Sequence, residues 1–382
     1  MADTLAILVG GGPAPGINGV IASATIEAIN AGLDVIGIYD GYLDLAAGTP
    51  VKTVRLTIDD AARIQSSGGS FLRTSRTNPA KDDATLDRAV RSLDALRIRY
   101  LICIGGDDTT FGATRIAERT AGRIGVATVP KTIDNDLPLP ENAPTFGFET
   151  ARAVGAQIIE TLLTDARTTT RWYIVVSMGR KSGSLALGMA SAAGATLAVI
   201  PEEFPGETLE LETVVDLLCD AIVTRRNHGR HDGVAVVAEG IVERISADAL
   251  DALENVSRDA YGHVRLADVP LGALLRDQVR ARLAELGVET TVLTKDIGYE
   301  LRCAKPIPFD VEYTRTLGYG AVRYLLGGGS GALVALANGH VQPLALADLL
   351  DPQTGRVRTR HVDIGSDAYK AARSGFSRAL LG

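Results

Sequence analysis

The chain has 382 residues, 46% of them hydrophobic and 5% aromatic, with 41 glycines and a formal net charge of −7. That length exceeds one ordinary hydrophobic core, so two domains are expected. The acidic balance argues against nucleic acid or an anionic membrane as a partner, and any positive field must be local, from Arg73, Arg76, Lys131, Arg171, Arg180 and Arg302.

In chain order, Leu5–Val9 is a short apolar run that reads as a buried strand. The loop Gly10-Gly11-Gly12-Pro13-Ala14-Pro15-Gly16-Ile17-Asn18-Gly19 follows, then a helical pattern from Val20 to Asn30. Strand, glycine loop and helix in succession form an arrangement in which backbone amides meet an anion. The loop is neither GxGxxG with a following acidic residue nor GxxxxGK[ST], so a dinucleotide fold is weakly supported and a P-loop is absent. Alone, it reads as a tight turn as readily as a phosphate site.

Further strands are expected at Val35–Tyr39, Tyr100–Ile104, Gly125–Val129, Trp172–Val176, Thr196–Ile200, Val234–Val237 and Ala332–Ala337, with helices at Thr85–Leu96 and Thr110–Arg119. Such alternation predicts βαβ units and parallel sheets covered on both faces, with ligands at the carboxyl ends of the strands. Ser182–Pro201 is a long uncharged run; three glycines among Ala, Ser and Thr predict a packed helix, a break at Gly194 and a strand, not a membrane span. Pro138–Asn142 is a candidate crossing between domains, and Gly327–Ser330 a glycine turn. Cys103, Cys219 and Cys303 form no CxxC pair, which points to a reducing, cytoplasmic setting, and Met1–Thr4 lacks the basic flank of a signal peptide.

Two strand ends carry the chemistry. After Tyr100–Ile104 comes Gly105-Gly106-Asp107-Asp108-Thr109-Thr110; after Gly125–Val129 comes Pro130-Lys131-Thr132-Ile133-Asp134-Asn135-Asp136. Either segment alone reads as a turn or helix N-cap. Together they gather four carboxylates and a lysine, a set that repels itself unless a cation or a proton transfer uses it. It suits Mg²⁺-assisted phosphoryl transfer, with one carboxylate on the metal, one accepting a proton and the lysine neutralising phosphate.

The chain resembles the phosphofructokinases from Leu5 to about Tyr324. The resemblance rests on separate motifs in family order: GGGPAPGIN (Gly10–Asn18), GIYDGY (Gly37–Tyr42), GGSFLRTSR (Gly68–Arg76), GGDDTT, PKTIDND, MGR (Met178–Arg180), AEG (Ala238–Gly240) and GYELR (Gly298–Arg302). Asp108 and Lys131 stand where ATP-using members typically carry glycines, a pair that resembles the pyrophosphate-dependent branch. The side chain of Asp108 would intrude on the space for a nucleotide's α-phosphate, and Lys131 would pair with pyrophosphate oxygens as a point charge.

The resemblance implies a phosphofructokinase fold: α/β, two Rossmann-like three-layer domains with mostly parallel sheets. A phosphoryl-donor and Mg²⁺ domain is expected over residues 1–140 plus about 300–345, and a sugar-phosphate domain over about 141–299 plus 346–382. The implied reaction is reversible Mg²⁺-dependent transfer from pyrophosphate to the 1-hydroxyl of fructose 6-phosphate, in glycolysis or gluconeogenesis. Gly11, Gly12, Arg76, Gly106, Asp108 and Lys131 would bind the donor and Asp107 the metal; Asp134, Asp108 and Lys131 would be the catalytic residues, with Asp134 accepting the proton. Thr132, Asp134, Asp136, Met178, Gly179, Arg180, Glu239, Tyr299 and Arg302 would contact the sugar phosphate, and Arg171 a neighbouring subunit's sugar phosphate in a homodimer or homotetramer.

There are departures from the family pattern. Tyr299 replaces a histidine found in many ATP users. No arginine precedes the run Thr290–Gly298; Lys295 either takes over that charge or is an exposed loop lysine. The helix beginning Ile21–Thr25 lacks the arginines of nucleotide-controlled members, so no response to ADP or phosphoenolpyruvate is expected. Three other readings compete: the same sugar with ATP as donor, a nicotinamide oxidoreductase, and a non-catalytic sugar-binding module. The oxidoreductase leaves Asp107, Asp108, Asp134 and Lys131 without a task, and the module needs neither a metal carboxylate nor a proton acceptor.

Overall fold

A computed structural model describes residues 2–246, 269–349, 351, 353 and 357–376 of the chain. Residues 377–382, assigned above to the second domain, lie outside the described set. The described residues divide into two compact units, those within 1–133, 137–151 and 299–359 in the first and those within 134–136, 152–298 and 360–376 in the second. Pro138–Asn142 lies within the first unit, and the chain changes unit on either side of Asp134–Asp136.

The first unit is built on β1 (Thr4–Val9), β2 (Asp34–Ile38), β3 (Thr53–Arg55), β4 (Ile98–Gly105) and β5 (Gly125–Pro130) with helices α1 (Ile17–Asn30), α2 (Leu43–Ala47), α3 (Ile58–Ile64), α4 (Asp83–Ala95) and α5 (Asp107–Thr120). Parallel β1 pairs with β2 and β4, and β4 with β5. Alternation along β1 sends Leu5, Ile7 and Val9 into a core with Ile17, Val20 and Ile21 of α1, and Ala6 and Leu8 into a second core with Leu86, Ala89 and Ile116. Those two cores put helices on both faces of the sheet, the three-layer arrangement that buried parallel strands need.

In the second unit β6 (Trp172–Ser177) pairs in parallel with β8 (Gly233–Ala238) and β9 (Val292–Ile297), and β8 with β7 (Leu197–Val199). Trp172, Ile174 and Val176 face a core from α8 (Leu211–Asn227) and α9 (Leu271–Glu285). Helix α6 (Phe148–Thr169) carries Gly155 so close to α7 (Ser184–Ala193) that an added Cβ would sit 1.8 Å from Met189 Sδ. Gly194 ends α7 in the left-handed region, φ 67°, which glycine adopts without strain. The uncharged run therefore folds as helix, break and strand; no helix among the described residues is long and apolar enough to cross a membrane.

The chain re-enters the first unit through α10 (Tyr299–Arg302), α11 (Pro308–Leu326), β10 (Ala332–Ala337), β11 (His340–Ala345) and α12 (Leu346–Leu349), and α13 (Asp367–Ser374) belongs to the second. Strands β3, β9 and β11 are not legible as apolar runs. All three lie at sheet edges in the order β11-β10-β5-β4-β1-β2-β3 and β7-β8-β6-β9. An edge strand is wetter, so β9 buries little beyond Val292 and Ile297. Lys295 lies on that strand, not in a loop, and its ammonium donates to Asp296 O at 2.8 Å. Lysine on an edge strand discourages pairing with another sheet. Strands β3 and β11 are antiparallel to their neighbours.

Candidate active site

Three loops at the carboxyl ends of adjacent parallel strands form a cradle in the first unit. The loop after β1 is stitched to the GGSFLRTSR segment: Gly11 N donates to Ser75 O at 2.8 Å, and Thr74 Oγ1 donates to Gly11 O. Gly11 has φ +77°, a conformation that suits glycine. Arg76, next to Ser75, is exposed. The loop after β4 turns directly into α5 at Gly106, putting Asp107 and Asp108 in the helix's first turn, where the macrodipole favours carboxylates. Asp107 is partly exposed and Asp108 exposed.

Lys131 follows β5 and is 5% exposed. Its amide donates to Gly105 O at 2.9 Å, and its ammonium donates to the carbonyl of Gly12. A Cβ on Gly11 would lie 3.2 Å from that ammonium. Arg302 approaches from α10: a Cβ on Gly12 would lie 3.4 Å from its guanidinium carbon, which sits 5.6 Å from the ring centre of Tyr299. Thus Gly11, Gly12, Gly106, Lys131, Arg302 and the acidic turn of α5 share one neighbourhood, with Tyr299 80% exposed beside it. Thr132 is partly buried, and its carbonyl accepts from Thr145 Oγ1 at 2.7 Å.

The second unit gathers another set, also at carboxyl strand ends. Met178–Arg180 follow β6, with Met178 N donating to Ile297 O at 3.0 Å. Glu239, just after β8, accepts through Oε1 from Gly179 N at 3.0 Å and Arg180 N at 2.8 Å. This fixes the backbone of Arg180, at φ 50° with an exposed side chain. Asp134 is 5% exposed, while Asp136 is partly exposed. Arg171 stands apart. It precedes β6 at the opposite end of that strand from Met178, and its Nε lies 3.7 Å from Asp165 Oδ2.

Two supporting residues are missed by reading motifs for ligands. Asn18, 3% exposed, donates from Nδ2 to Ser67 O, Ser67 Oγ and Gly68 O and accepts from Phe71 N at 2.8 Å. One amide thus ties the first glycine motif to the third, and its place as the last residue of GGGPAPGIN was the only signal. Buried Asp310 on α11 accepts from Gly147 N, Thr150 N and Thr150 Oγ1 at 2.8, 2.8 and 2.6 Å, satisfying the N-terminus of α6. Burial holds its carboxyl above the usual range despite these bonds. Cys103 is a core residue: burial pushes its thiol up to about 12, and Tyr42 donates to its sulfur at 3.1 Å.

Residues 4–325 match the family described as Phosphofructokinase. The chain belongs to the phosphofructokinase family. It is 53% identical over 98% of its length to the pyrophosphate–fructose 6-phosphate 1-phosphotransferase of Thermotoga maritima, covering 90% of that protein. It is 47% identical over 97% of its length to the protein of the same name from Naegleria fowleri, covering 87% of it. A fold likeness extends to Pichia pastoris phosphofructokinase in the T-state, with a TM-score of 0.72 at 22% identity over 91% of this chain; the chain spans 35% of that one. Within this phosphofructokinase, the cradle and the set around Arg180 occupy the strand ends where an open α/β sheet receives ligands.

Proposed function

We propose that this phosphofructokinase transfers a phosphoryl group from pyrophosphate to the 1-hydroxyl of fructose 6-phosphate, giving phosphate and fructose 1,6-bisphosphate. The observation that carries the donor assignment is Lys131, buried with its ammonium on the carbonyl of Gly12, in a cradle where Asp108 also stands in place of glycine. The amides of the glycine loops and the lysine hold the two phosphates. Asp108 occupies space that a nucleotide donor needs.

Asp134 accepts the proton of the acceptor hydroxyl as the new P–O bond forms and the bond to the leaving phosphate breaks. Arg180 and Arg302 neutralise the sugar phosphate, Thr132, Asp136, Met178 and Tyr299 line the acceptor, and Glu239 sets the loop that aims Arg180. Mg²⁺ needs only one or two protein carboxylates when the substrate is a phosphate. Asp107, at the partly exposed start of α5, fits that requirement and would hold the ion. When bound, the ion would neutralise charge on the transferring phosphates.

Arg171 supports an assembly. The six residues of β6 separate it from Met178, a span of roughly 20 Å at about 3.3 Å per residue. A role on sugar phosphate is therefore served to a second copy, in a homodimer or homotetramer. The deciding assay offers fructose 6-phosphate and Mg²⁺ with either pyrophosphate or ATP. Turnover with pyrophosphate, running measurably in reverse, is expected. Efficient use of ATP with none of pyrophosphate overturns the reading.

A further inference from the structure

Side chains beyond residue 357 have no task in the reading above, yet one of them grips the loop that carries Asp134. Arg360 donates from Nε to Asn135 O at 2.9 Å and from Nη2 to Asn135 Oδ1, and its own amide donates to Asp136 O at 2.7 Å. Asn135, between the two carboxylates, has φ +56°, a left-handed conformation that asparagine tolerates but that must be held. Two bonds from the Arg360 side chain hold it, and a third from the Arg360 amide holds the next residue, Asp136.

The grip has its own foundation. Val362 N donates to Glu202 Oε1 at 3.0 Å, and the same carboxylate accepts from Gly183 N at 3.0 and 3.2 Å, close after the Met178–Arg180 loop. Tyr369 donates to Glu203 Oε1 at 2.6 Å, and Arg373 Nε lies 3.4 Å from the same oxygen, with the Glu203 side chain 4% exposed. The loop bearing both glutamates is held by Arg244, whose guanidinium donates to the carbonyls of Pro201, Phe204, Pro205 and Gly206. Residues 360–373 therefore form a strap fastened to a rigid loop, with Arg360 reaching the Asp134 segment from its end.

We propose that Arg360 is a positioning residue of the phosphoryl transfer: it fixes the main chain at Asn135–Asp136 and so aims the carboxylate of Asp134 at the acceptor hydroxyl. This rests on the assignment of Asp134 as proton acceptor. Guanidinium is suited to the task because its planar fork engages a carbonyl and an amide oxygen on the same residue at once.

The test compares Arg360→Ala and Arg360→Lys, each made in the wild-type and Asp134→Asn backgrounds, with Arg373→Ala as a variant that loosens the strap elsewhere. Misplacing a catalytic group by about 1 Å costs roughly 100-fold, so Arg360→Ala should lower kcat about ten- to 100-fold with pyrophosphate KM unchanged. Arg360→Lys keeps the main-chain donor and one side-chain donor, and should recover part of the loss. In the Asp134→Asn background the Ala substitution should cost far less, because no carboxylate remains to be aimed. Arg373→Ala should lower the melting temperature without the kcat defect. Equal losses in both backgrounds, a wild-type kcat for Arg360→Ala, or the same kcat loss in Arg373→Ala overturns the inference. If Asp134→Asn is itself impaired, that failure is the positioning role's alone; if Asp134→Asn keeps wild-type kcat, the assignment of Asp134 falls first.

Discussion

The ammonium of Lys131 donates to the main-chain carbonyl of Gly12, so a buried cation is carried into the glycine loop by the next strand but one in the sheet. Charge-assisted contacts to phosphate are worth about 1.5–3 kcal/mol, or roughly ten- to 150-fold at ~1.4 kcal/mol per decade. Lys131→Met should therefore raise the KM for pyrophosphate by about that factor while fructose 6-phosphate KM changes little. Asp108→Gly with Lys131→Gly should weaken pyrophosphate use, and steady-state kinetics with each donor checks it. Unchanged pyrophosphate KM in both variants would remove Lys131 from the donor site.

Asp134 and Asp107 should separate cleanly in kinetics. General-base help is worth about 10²–10⁴-fold, so Asp134→Asn should lower kcat over that range with a modest change in sugar KM. Asp107→Asn should instead raise the Mg²⁺ concentration needed for half-maximal rate. Single-turnover assays across a Mg²⁺ titration distinguish the two; a wild-type kcat for Asp134→Asn would falsify its role as proton acceptor.

Arg171 tests the assembly. Arg171→Ala should raise the KM for fructose 6-phosphate by roughly ten- to 150-fold on the same contact energy and leave pyrophosphate KM nearly unchanged. Mixing it with Asp134→Asn should restore activity above either parent, since each mixed dimer would hold one site with neither lesion. Subunits that exchange, followed by mass spectrometry, without any return of activity would exclude a shared site.

Packing of the cradle makes a separate prediction. A Cβ on Gly105 or on Gly10 would lie 2.3 Å from Oγ1 of buried Thr109 in the first turn of α5. Overpacking costs about 1–3 kcal/mol, so Gly105→Ala should lower the melting temperature, and Thr109→Ser beside it should give little relief because the hydroxyl stays. Asn18→Ala leaves the partly buried amide of Phe71 without its Asn18 acceptor, at about 1–3 kcal/mol, and should destabilise more than it slows the remaining folded enzyme. Calorimetry of each variant provides the check.

The strap should respond to pH. The hydrogen bond and charge of Glu202 raise His361 above 6.5 against burial and the charge of Lys181. Burial pushes Glu202 up, but hydrogen bonds from His361 and from the amides of Val362 and Gly183 leave it below 4.5. A raised histidine contributes stability that is present below its unfolded value and lost as pH rises through its folded one. A lowered carboxylate contributes above its unfolded value and loses it as pH falls through its folded one. Protection of the Val362 amide from hydrogen exchange, corrected for intrinsic rate, should be greatest between pH 4.5 and 6.5. His361→Asn should remove the decline on the alkaline side; a decline that persists there would place its cause elsewhere.

By itself the sequence determined the central strands, the loops that end them and the chemistry gathered there. Buried parallel strands must be apolar for their whole length, so Leu5–Val9, Tyr100–Ile104 and Gly125–Val129 announce themselves, and the glycines, Asp107, Asp108 and Lys131 follow at once. Edge strands β3, β9 and β11 carry no such signal because β9 buries only its two end residues and no residue of β3 or β11 is fully buried. Tertiary structure alone decided what a polar residue does once partly or wholly buried. Glu239 turns its carboxylate to the amides of Gly179 and Arg180, Asn18 ties segments 49 to 53 residues apart, and Arg360 reaches Asn135 across 225 residues of chain. Hydrogen-bond partners that distant leave no periodicity in the sequence, since what selects them is the geometry of unmet donors and acceptors in the folded interior.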